Sequence, residues 1–225
     1  MMSTNREKEP LYPTNAKGST KLVFGGGHHE IVVGQNIQSI VMIGVGAGGS
    51  GGGGWHVNNC NKTAGGGGAS GGVSKLELGS VTVGTRYDLF VGQSSVLKDG
   101  EDTYVVCDQN EILRAGGGQA GHPYDAPEPF IASGGSGNFT KGNDGSLGMT
   151  YQAYMQHNAT NAQSSYLGEV GKGADTPHQL GKGGLGGWNR SGEQGEKFGS
   201  GGGGGTSTDG SLGGCGCLIV YLMTK

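Results

Sequence analysis

The chain has little of what builds a conventional hydrophobic core or a membrane anchor. Only 32% of its 225 residues are hydrophobic, and its apolar stretches are far shorter than the roughly 18 residues of a membrane span. The opening "MMSTNREKEPLYP" has no apolar signal-peptide core. We therefore expect a protein that is made in a cytosol and not secreted by a standard route, without membrane insertion.

Proline, cysteine and net charge are scarce as well. With 6 prolines and a formal net charge of −3, the chain matches neither a disordered tail nor a collagen, and it has no basic stripe for nucleic acid. Its cysteines, Cys60, Cys107, Cys215 and Cys217, lack zinc-ligand spacing, so free thiols are expected. The "GCGC" stretch is expected to place two of them on one face of a strand.

Glycine is the abundant residue, with 53 positions against a typical share of about 7%. In "GKGGLGGWNR", Lys182, Leu185 and Trp188 stand three residues apart, a period that fits neither helix nor strand. The left-handed polyproline II helix has three residues per turn, and glycine lets such helices pack closely. We therefore predict a bundle of polyglycine II helices. A flexible glycine linker is the alternative, but it explains the many separate runs poorly.

The remaining segments alternate as β-strands do. The predicted fold class is mainly β with irregular structure and essentially no α-helix: a small antiparallel sheet domain plus the polyglycine II bundle. The first and last strands are expected to pair. The predicted strands are 21–24, 29–33, 37–45, 74–83, 86–92, 103–108, 111–115 and 217–224.

Glycine runs that alternate in direction would sort the loops between them to two ends. The outward runs would be 44–54, 115–121, 142–148 and 181–187, and the returning runs 64–73, 132–137, 168–173 and 199–205. The far-end loops are then 55–63, 122–131, 149–167 and 188–198. The run 210–216 does not fit this scheme neatly.

The far-end loops are rich in aromatic and amide side chains, the composition of a recognition surface. Alternatively, these rings seal the outer faces of the helices. The candidate receptor-binding residues are Trp55, His56, Asn58, Tyr124, Phe130, Tyr151, Tyr154, Tyr166, Trp188, Arg190 and Phe198. The candidate scaffold glycines are Gly142, Gly145, Gly148, Gly183, Gly184, Gly186 and Gly187.

No pattern in the chain predicts catalysis, a cofactor or a metal site. Matches to GxGxxG are expected by chance at this glycine content, and no helix pattern follows "IVMIGVGAGGSGG". His28 and His29 would point to opposite faces of a strand, unlike a metal pair. Asp108 and Glu111 flank a tight turn, where acidic residues are ordinary. We expect a protein that is not an enzyme.

The order of motifs resembles the glycine-rich adhesins that cap phage tail fibres, including the distal adhesins of T-even-type long fibres. The resemblance covers about residues 19–224. It is carried by "LVFGGGHHEIVVGQNIQSIVMIGVGAGGSGGGG", an insert with "YDLFVGQ" and "EILRAGGG", and a closing "GCGCLIVYL". It implies a polyglycine II sandwich whose variable loops bind outer-membrane proteins or surface sugars of the host. The N-terminal region here is shorter than the fibre-attachment domain of those adhesins.

These expectations define three regions: an attachment arm (1–18), a β domain (19–43, 74–115 and 217–225) and a glycine bundle (44–73 and 116–216). The leading hypothesis is a receptor-binding protein at a virion's tail-fibre tip. Its arm and β domain would dock on a fibre or other virion protein, with room for an oligomer. A structural virion protein without receptor contact is the second hypothesis. An ice-binding protein is the third, and Lys182, Trp188 and Glu193 argue against it.

Overall fold

A computed structural model describes most of the chain as two packed sheets extended by glycine runs. Among the residues it describes there is one short 3-10 helix, Pro177–Gln179, and no helix that is long and apolar enough to cross a membrane. The described residues are 11–12, 18–57, 61–63, 65–123, 130–147, 173–184, 192–205 and 210–224.

The strands form two four-stranded antiparallel sheets and one short hairpin. The first sheet has the order β1-β10-β3-β6 and the second β2-β7-β8-β9, while β4 pairs with β5. The strands are β1 Ser19–Phe24, β2 Gly27–Val32, β3 Ile37–Val45, β4 Trp55–Val57, β5 Asn61–Thr63, β6 Val73–Leu78, β7 Arg86–Val91, β8 Thr103–Cys107, β9 Asn110–Ala115 and β10 Cys217–Thr224.

Strand β3 is buried on both faces, which explains its nearly continuous apolar sequence. Ile40 and Met42 belong to the core between the two sheets, together with Leu89 and Val105 of the second sheet. Successive side chains of a strand point to opposite faces, so Ile43 faces the outer side of the first sheet and belongs to a second apolar cluster.

Turns of the glycine region cover that outer face. Phe139, Leu180 and Phe198 each pack there from a different turn, and Leu11 adds one buried side chain from the N-terminal region. Three separate turns therefore each supply one apolar side chain to the same surface. This surface, together with the two sheets, is called the sheet end below.

Most strand predictions are confirmed, with two corrections in the sheets. Strands β1 and β10 pair as predicted, but β2 pairs with β7 in a second sheet, and β6 ends at Leu78, well before residue 83. Cys215 and Cys217 do not share a strand face, because Cys215 precedes β10 and is exposed while Cys217 is buried. Burial raises the pKa of the Cys217 thiol to about 12. Cys60 lies outside the described residues.

The glycine runs have neither helix nor strand hydrogen bonding, yet their backbones are bonded to one another. The runs, named by letters, are a (46–54), b (65–72), c (116–122), d (132–136), e (141–147), f (173–176), g (181–184), h (192–196), i (199–205) and j (210–216). The link 92–102 between β7 and β8 lies among them. Thr103 joins the sheets at the base of the runs: its Oγ1 donates to the Val45 carbonyl, 2.7 Å away, and accepts from the Gly92 N–H, 3.1 Å away.

Run a donates its backbone N–H groups to three neighbours in strict rotation. Every third N–H goes to the same neighbour, with the acceptor number falling by three each time. The bonds go from Gly46, Gly49 and Gly52 to Gly72, Ala69 and Gly66 of run b, from Ala47 and Ser50 to Glu101 and Lys98 of the link, and from Gly48 and Gly51 to Gly214 and Ser211 of run j.

Run b shows the same rotation and is surrounded more completely. It donates in turn to runs i, c and e, from Gly65 through Gly72, and Val73 continues the rotation by donating to Thr140, the residue before run e. It accepts hydrogen bonds from run a, from Gly135 of run d and from Ala174 of run f. Run b therefore has six neighbours in the described part of the chain, and buried backbone groups that would otherwise be costly find partners in them.

Most glycines of the interior runs a and b leave no space for a Cβ atom. A Cβ built on Gly68 would collide with the carbonyl oxygens of Gly49 and Ser50, and one built on Gly49 would collide with the Gln119 carbonyl. A neighbouring carbonyl therefore occupies the position that a side chain would need. This requirement explains the glycine content of the interior runs.

Four aspartate carboxylates accept hydrogen bonds from backbone N–H groups of outer runs. Asp99 and Asp102 accept from the N–H groups of Ala120 and Gly117 at 2.7 and 2.8 Å. Asp144 and Asp175 accept from the N–H groups of Gly134 and Gly183, both at 2.8 Å. In each case the carboxylate occupies the acceptor position that a backbone carbonyl of another run has elsewhere in the bundle.

Hydrogen-bond registers fix the directions of the runs, and they correct one prediction. Gly202 and Gly205 donate to Gly49 and Gly52, so run i lies parallel to run a and leads away from the sheets. The prediction that 199–205 returns is wrong. Run h, predicted to be part of a far-end loop, is the returning run: Gly203 of run i donates to Glu193, and Gly195 donates to run j. Run j also returns, because its register with run a is antiparallel.

A Gly68→Ala substitution should lower the free energy of unfolding by about 3 kcal/mol or more, because the new methyl group overpacks the interior and separates runs a and b. Gly79→Ala is the matched control, since a Cβ at Gly79 has no atom within 4 Å. Denaturant unfolding of both variants tests this. Equal stability of the two would contradict the close-packing argument.

Acid should weaken the cap at Asp144, that is, the hydrogen bond that its carboxylate accepts from the Gly134 N–H. The Gly134 N–H and then the Lys141 ammonium lower the pKa of this carboxyl from its ordinary 3.8. Its contribution to stability is thus complete above about pH 4 and is lost as the pH falls through the lower folded pKa. Below about pH 4, Asp144→Asn should lose less stability than the wild type. Lys141→Met should also lose less stability than the wild type over this range, because the Asp144 pKa is lowered less without the ammonium group. Unchanged pH profiles of unfolding would refute the cap.

Candidate functional site

The runs that lead away from the sheets connect to the runs that return at the opposite end of the bundle, here called the far end. Runs a, c, e, g and i lead away from the sheets, and runs b, d, f, h and j return. The chain therefore leaves and re-enters the bundle at the far end five times. The interrupting segments are 55–64, 123–131, 148–172, 185–191 and 206–209.

The first far-end segment contains a small hairpin. Strands β4 and β5 follow run a directly and pair antiparallel, with Trp55 opposite Thr63 and His56 opposite Lys62. The structure thus places the backbones of the two candidates Trp55 and His56 at the far end.

His122 and Phe130 form the ordered base of the second far-end segment. His122 is fully buried, its carbonyl accepts the Gly66 N–H at 3.0 Å, and its ring centroid lies 5.7 Å from that of Phe130 in an edge-on arrangement. Phe130 is 39% exposed and Ile131 is 52% exposed. The buried His122 ring therefore lies against Phe130, and Phe130 and Ile131 together expose apolar side chains.

The sequence analysis named Phe130 as a candidate but did not name its neighbours His122 and Ile131. A histidine before a proline gives no periodic signal. Its burial follows from the close approach of Gly66, where an added Cβ would lie 2.8 Å from the His122 ring.

Several predicted residues cannot be placed. The candidates Asn58, Tyr124, Tyr151, Tyr154, Tyr166, Trp188 and Arg190, and the scaffold glycines Gly148, Gly186 and Gly187, lie outside the described residues. The backbone N–H groups of the other scaffold glycines donate hydrogen bonds to residues of neighbouring runs, within the network of bonds between runs that is called the lattice below. These glycines are Gly142, Gly145, Gly183 and Gly184.

Phe198 is not a far-end residue, so its predicted location is wrong. It lies in the turn between runs h and i, at the sheet end, and packs against the outer face of the first sheet. It has a positive φ of 59°, and Gly199 follows with a φ of 77°, a left-handed pair that reverses the chain. The Phe198 carbonyl accepts the Thr176 hydroxyl at 2.6 Å, which ties this turn to run f.

The two adjacent histidines of β2 are part of an ordinary polar sheet surface. His28 stacks on Phe90, with ring centroids 4.6 Å apart, and its Nε2 lies 3.3 Å from Asp88. The neighbouring Arg86 and then His28 lower the pKa of the Asp88 carboxyl. His29 contacts the Gly25 carbonyl at 2.8 Å instead. Within the described ranges, no three His, Cys, Asp or Glu side chains are grouped to hold a metal ion.

The comparison with protein families matches the chain to the glycine-rich domain over residues 19–223. The chain belongs to the glycine-rich domain family. The match to the glycine-rich domain begins at the first residue of β1 and ends within β10, so it takes in the sheets and the runs together. A search among curated proteins found no match.

Phe198→Ala should lower the free energy of unfolding by about 2 kcal/mol, less than for a fully buried phenylalanine, because the ring is partly exposed. Phe130→Ala, at the far end, should change it by less than about 1 kcal/mol. Denaturant unfolding compares the two. An equal or reversed order would contradict the assignment of Phe198 to the sheet end.

Proposed function

We propose that this protein is a non-enzymatic adhesin at the tip of a phage tail fibre. It binds a receptor on the bacterial surface, an outer-membrane protein or a surface glycan, through the far-end segments. The sheets and the N-terminal arm attach it to a fibre or other virion protein.

We also infer that the glycine runs are polyglycine II helices. The support is the rotation in which successive N–H groups of runs a and b point to three neighbours in turn, because a threefold helix presents its donors in that order. At about 3.1 Å per residue, run a would project its end roughly 28 Å from the sheets. Such helices would be stiff supports for recognition loops.

The observation that carries the adhesin proposal is the sorting of segments between the two ends. Sheet-end turns are short and packed, whereas the far-end segments reach the length of 148–172. The far-end segments also hold seven of the chain's Trp, Tyr and Phe residues: Trp55, Tyr124, Phe130, Tyr151, Tyr154, Tyr166 and Trp188. Aromatic side chains lose little entropy on binding and are common in recognition surfaces.

A lattice of fixed backbones also supports recognition energetically. A loop whose two ends are held by hydrogen-bonded runs samples fewer conformations before binding, so less entropy is lost on contact with a receptor. His122 shows such anchoring at the base of one segment, since its backbone is bonded to run b and its ring is buried.

The proposal predicts that Trp55→Ala and Tyr154→Ala each weaken binding to host cells at least about tenfold, the effect expected of a central aromatic contact. Fluorescently labelled full-length protein is titrated onto a panel of bacterial strains and read by flow cytometry. Tyr12→Ala is the matched control, because Tyr12 is 41% exposed and follows Leu11 at the sheet end. It should bind as the wild type does.

Unfolding midpoints show whether each variant is folded. Normal binding by both far-end variants would refute the recognition surface. If no strain is bound and microscopy finds the protein at lattice positions of the particle, the structural virion hypothesis replaces the adhesin.

A further inference from the structure

A groove of about 760 Å³ opens at the sheet end, beside the end of β1. Its walls are Gly25, residues 180–181, residues 194–198 and residues 214–216. Five of the lining residues are glycines, so backbone forms much of its surface. None of the groove's lining residues belongs to a far-end segment, so the groove is separate from the proposed recognition surface.

The groove lies where β1 has no continuation into the bundle. The other three strands of the first sheet are all continuous with runs, since β3 leads into run a, run b leads into β6 and run j leads into β10. Phe24, the last residue of β1, is paired with Leu218 of β10. At Gly25 the chain turns away into the second sheet. The position beside residues 214–216 and in line with β1, called the lane below, is therefore occupied by none of the described runs.

Backbone donors on the groove walls remain available. No described residue accepts a hydrogen bond from the N–H group of Gln194 or from that of Cys215. Their neighbours are bonded within the lattice: Gly195 donates to Leu212, Gly214 to Ser200 and Gly216 to Gly92. In the described part of the chain, the hydrogen-bond lattice therefore stops at this wall with these two donors unbonded, and no aspartate accepts from them as one does from Gly117 or Gly134.

We propose that the groove binds an extended, glycine-rich segment of a partner polypeptide, which adds to the bundle as one further run beside residues 214–216. An extended segment matches the lane, and a lack of side chains lets it approach the glycine walls as the chain's own runs do. The principle is that of strand addition at a sheet edge, with main-chain hydrogen bonds supplying the affinity.

A second copy of the chain fits the groove less well. All ten described runs are already bonded to neighbours within their own bundle, so a second copy has no free run to offer. Glu196 and Lys197 stand exposed at the groove and carry opposite charges, so the groove does not select a strongly charged partner. The partner is therefore a different polypeptide with an unpaired glycine-rich segment.

The first test uses the peptide GAGGSGGGG, the sequence of run a, as the probe. It is titrated into isotope-labelled full-length protein at concentrations on the order of 1 mM, because a flexible peptide loses entropy on binding and its affinity is low. The amide signals of Gln194 and Cys215 should shift, and alkylation of the exposed Cys215 should slow. The same peptide with alanine at every second glycine should not bind.

The second test blocks the groove. Gly25→Trp should reduce the peptide's affinity at least about tenfold without unfolding the protein, because a Cβ at Gly25 has no atom within 4 Å. Gly79→Trp is the matched control, since Gly79 is equally open and does not line the groove; it should bind as the wild type does.

Three results would overturn the proposal. They are unchanged signals at Gln194 and Cys215, equal loss of affinity in both tryptophan variants, and self-association in sedimentation that Gly25→Trp abolishes. The last would identify a second copy as the occupant. None of these results depends on receptor binding at the far end, so the two proposals can fail separately.

Discussion

The bundle depends on one steric constraint: the carbonyl of one run occupies the place where a side chain of the next run would begin. At Gly68 and Gly49 that place is filled by neighbouring backbone. The constraint allows each interior run to bond to several others at once, which a sheet cannot do because its strands have two neighbours each. Lateral hydrogen bonds then replace the apolar side chains that this chain lacks, at a net gain of about 0.5–1.5 kcal/mol per bond.

The sheets set the registers that the lattice continues. Val45 is opposite Val73 in the first sheet, and the next residue, Gly46, donates to Gly72. Strand β10 likewise pairs with β3 and continues the line of run j, which bonds to run a. A conventional apolar core thus fixes the start of each central run, and the threefold rotation follows from there. Ordering glycine has a high entropic cost. That cost is reduced here because the sheets align the central runs where they begin.

The sequence contains enough information to predict the strands and the three-residue period, because both leave regular patterns. The pairing of β2 with β7 left no such pattern, since alternation shows which face is buried and not which sheet a strand joins. Run h was missed for another reason. Glu193, Gln194 and Glu196 made it look like a loop, although only Gly192 and Gly195 needed to face the lattice. Missing that run reversed the direction of 199–205 and placed Phe198 at the wrong end.

The two ends of the bundle tolerate change differently, and this difference bears on function. Each sheet-end turn is held by an apolar side chain, Phe139, Leu180 or Phe198, on one shared surface, so its length and conformation are constrained by packing. A far-end segment has only to connect two fixed runs. It can lengthen at a cost that grows slowly with the number of residues, without disturbing any lattice register. A fold of this kind accommodates changes of segment length at one end only, the property on which the proposed adhesin function depends.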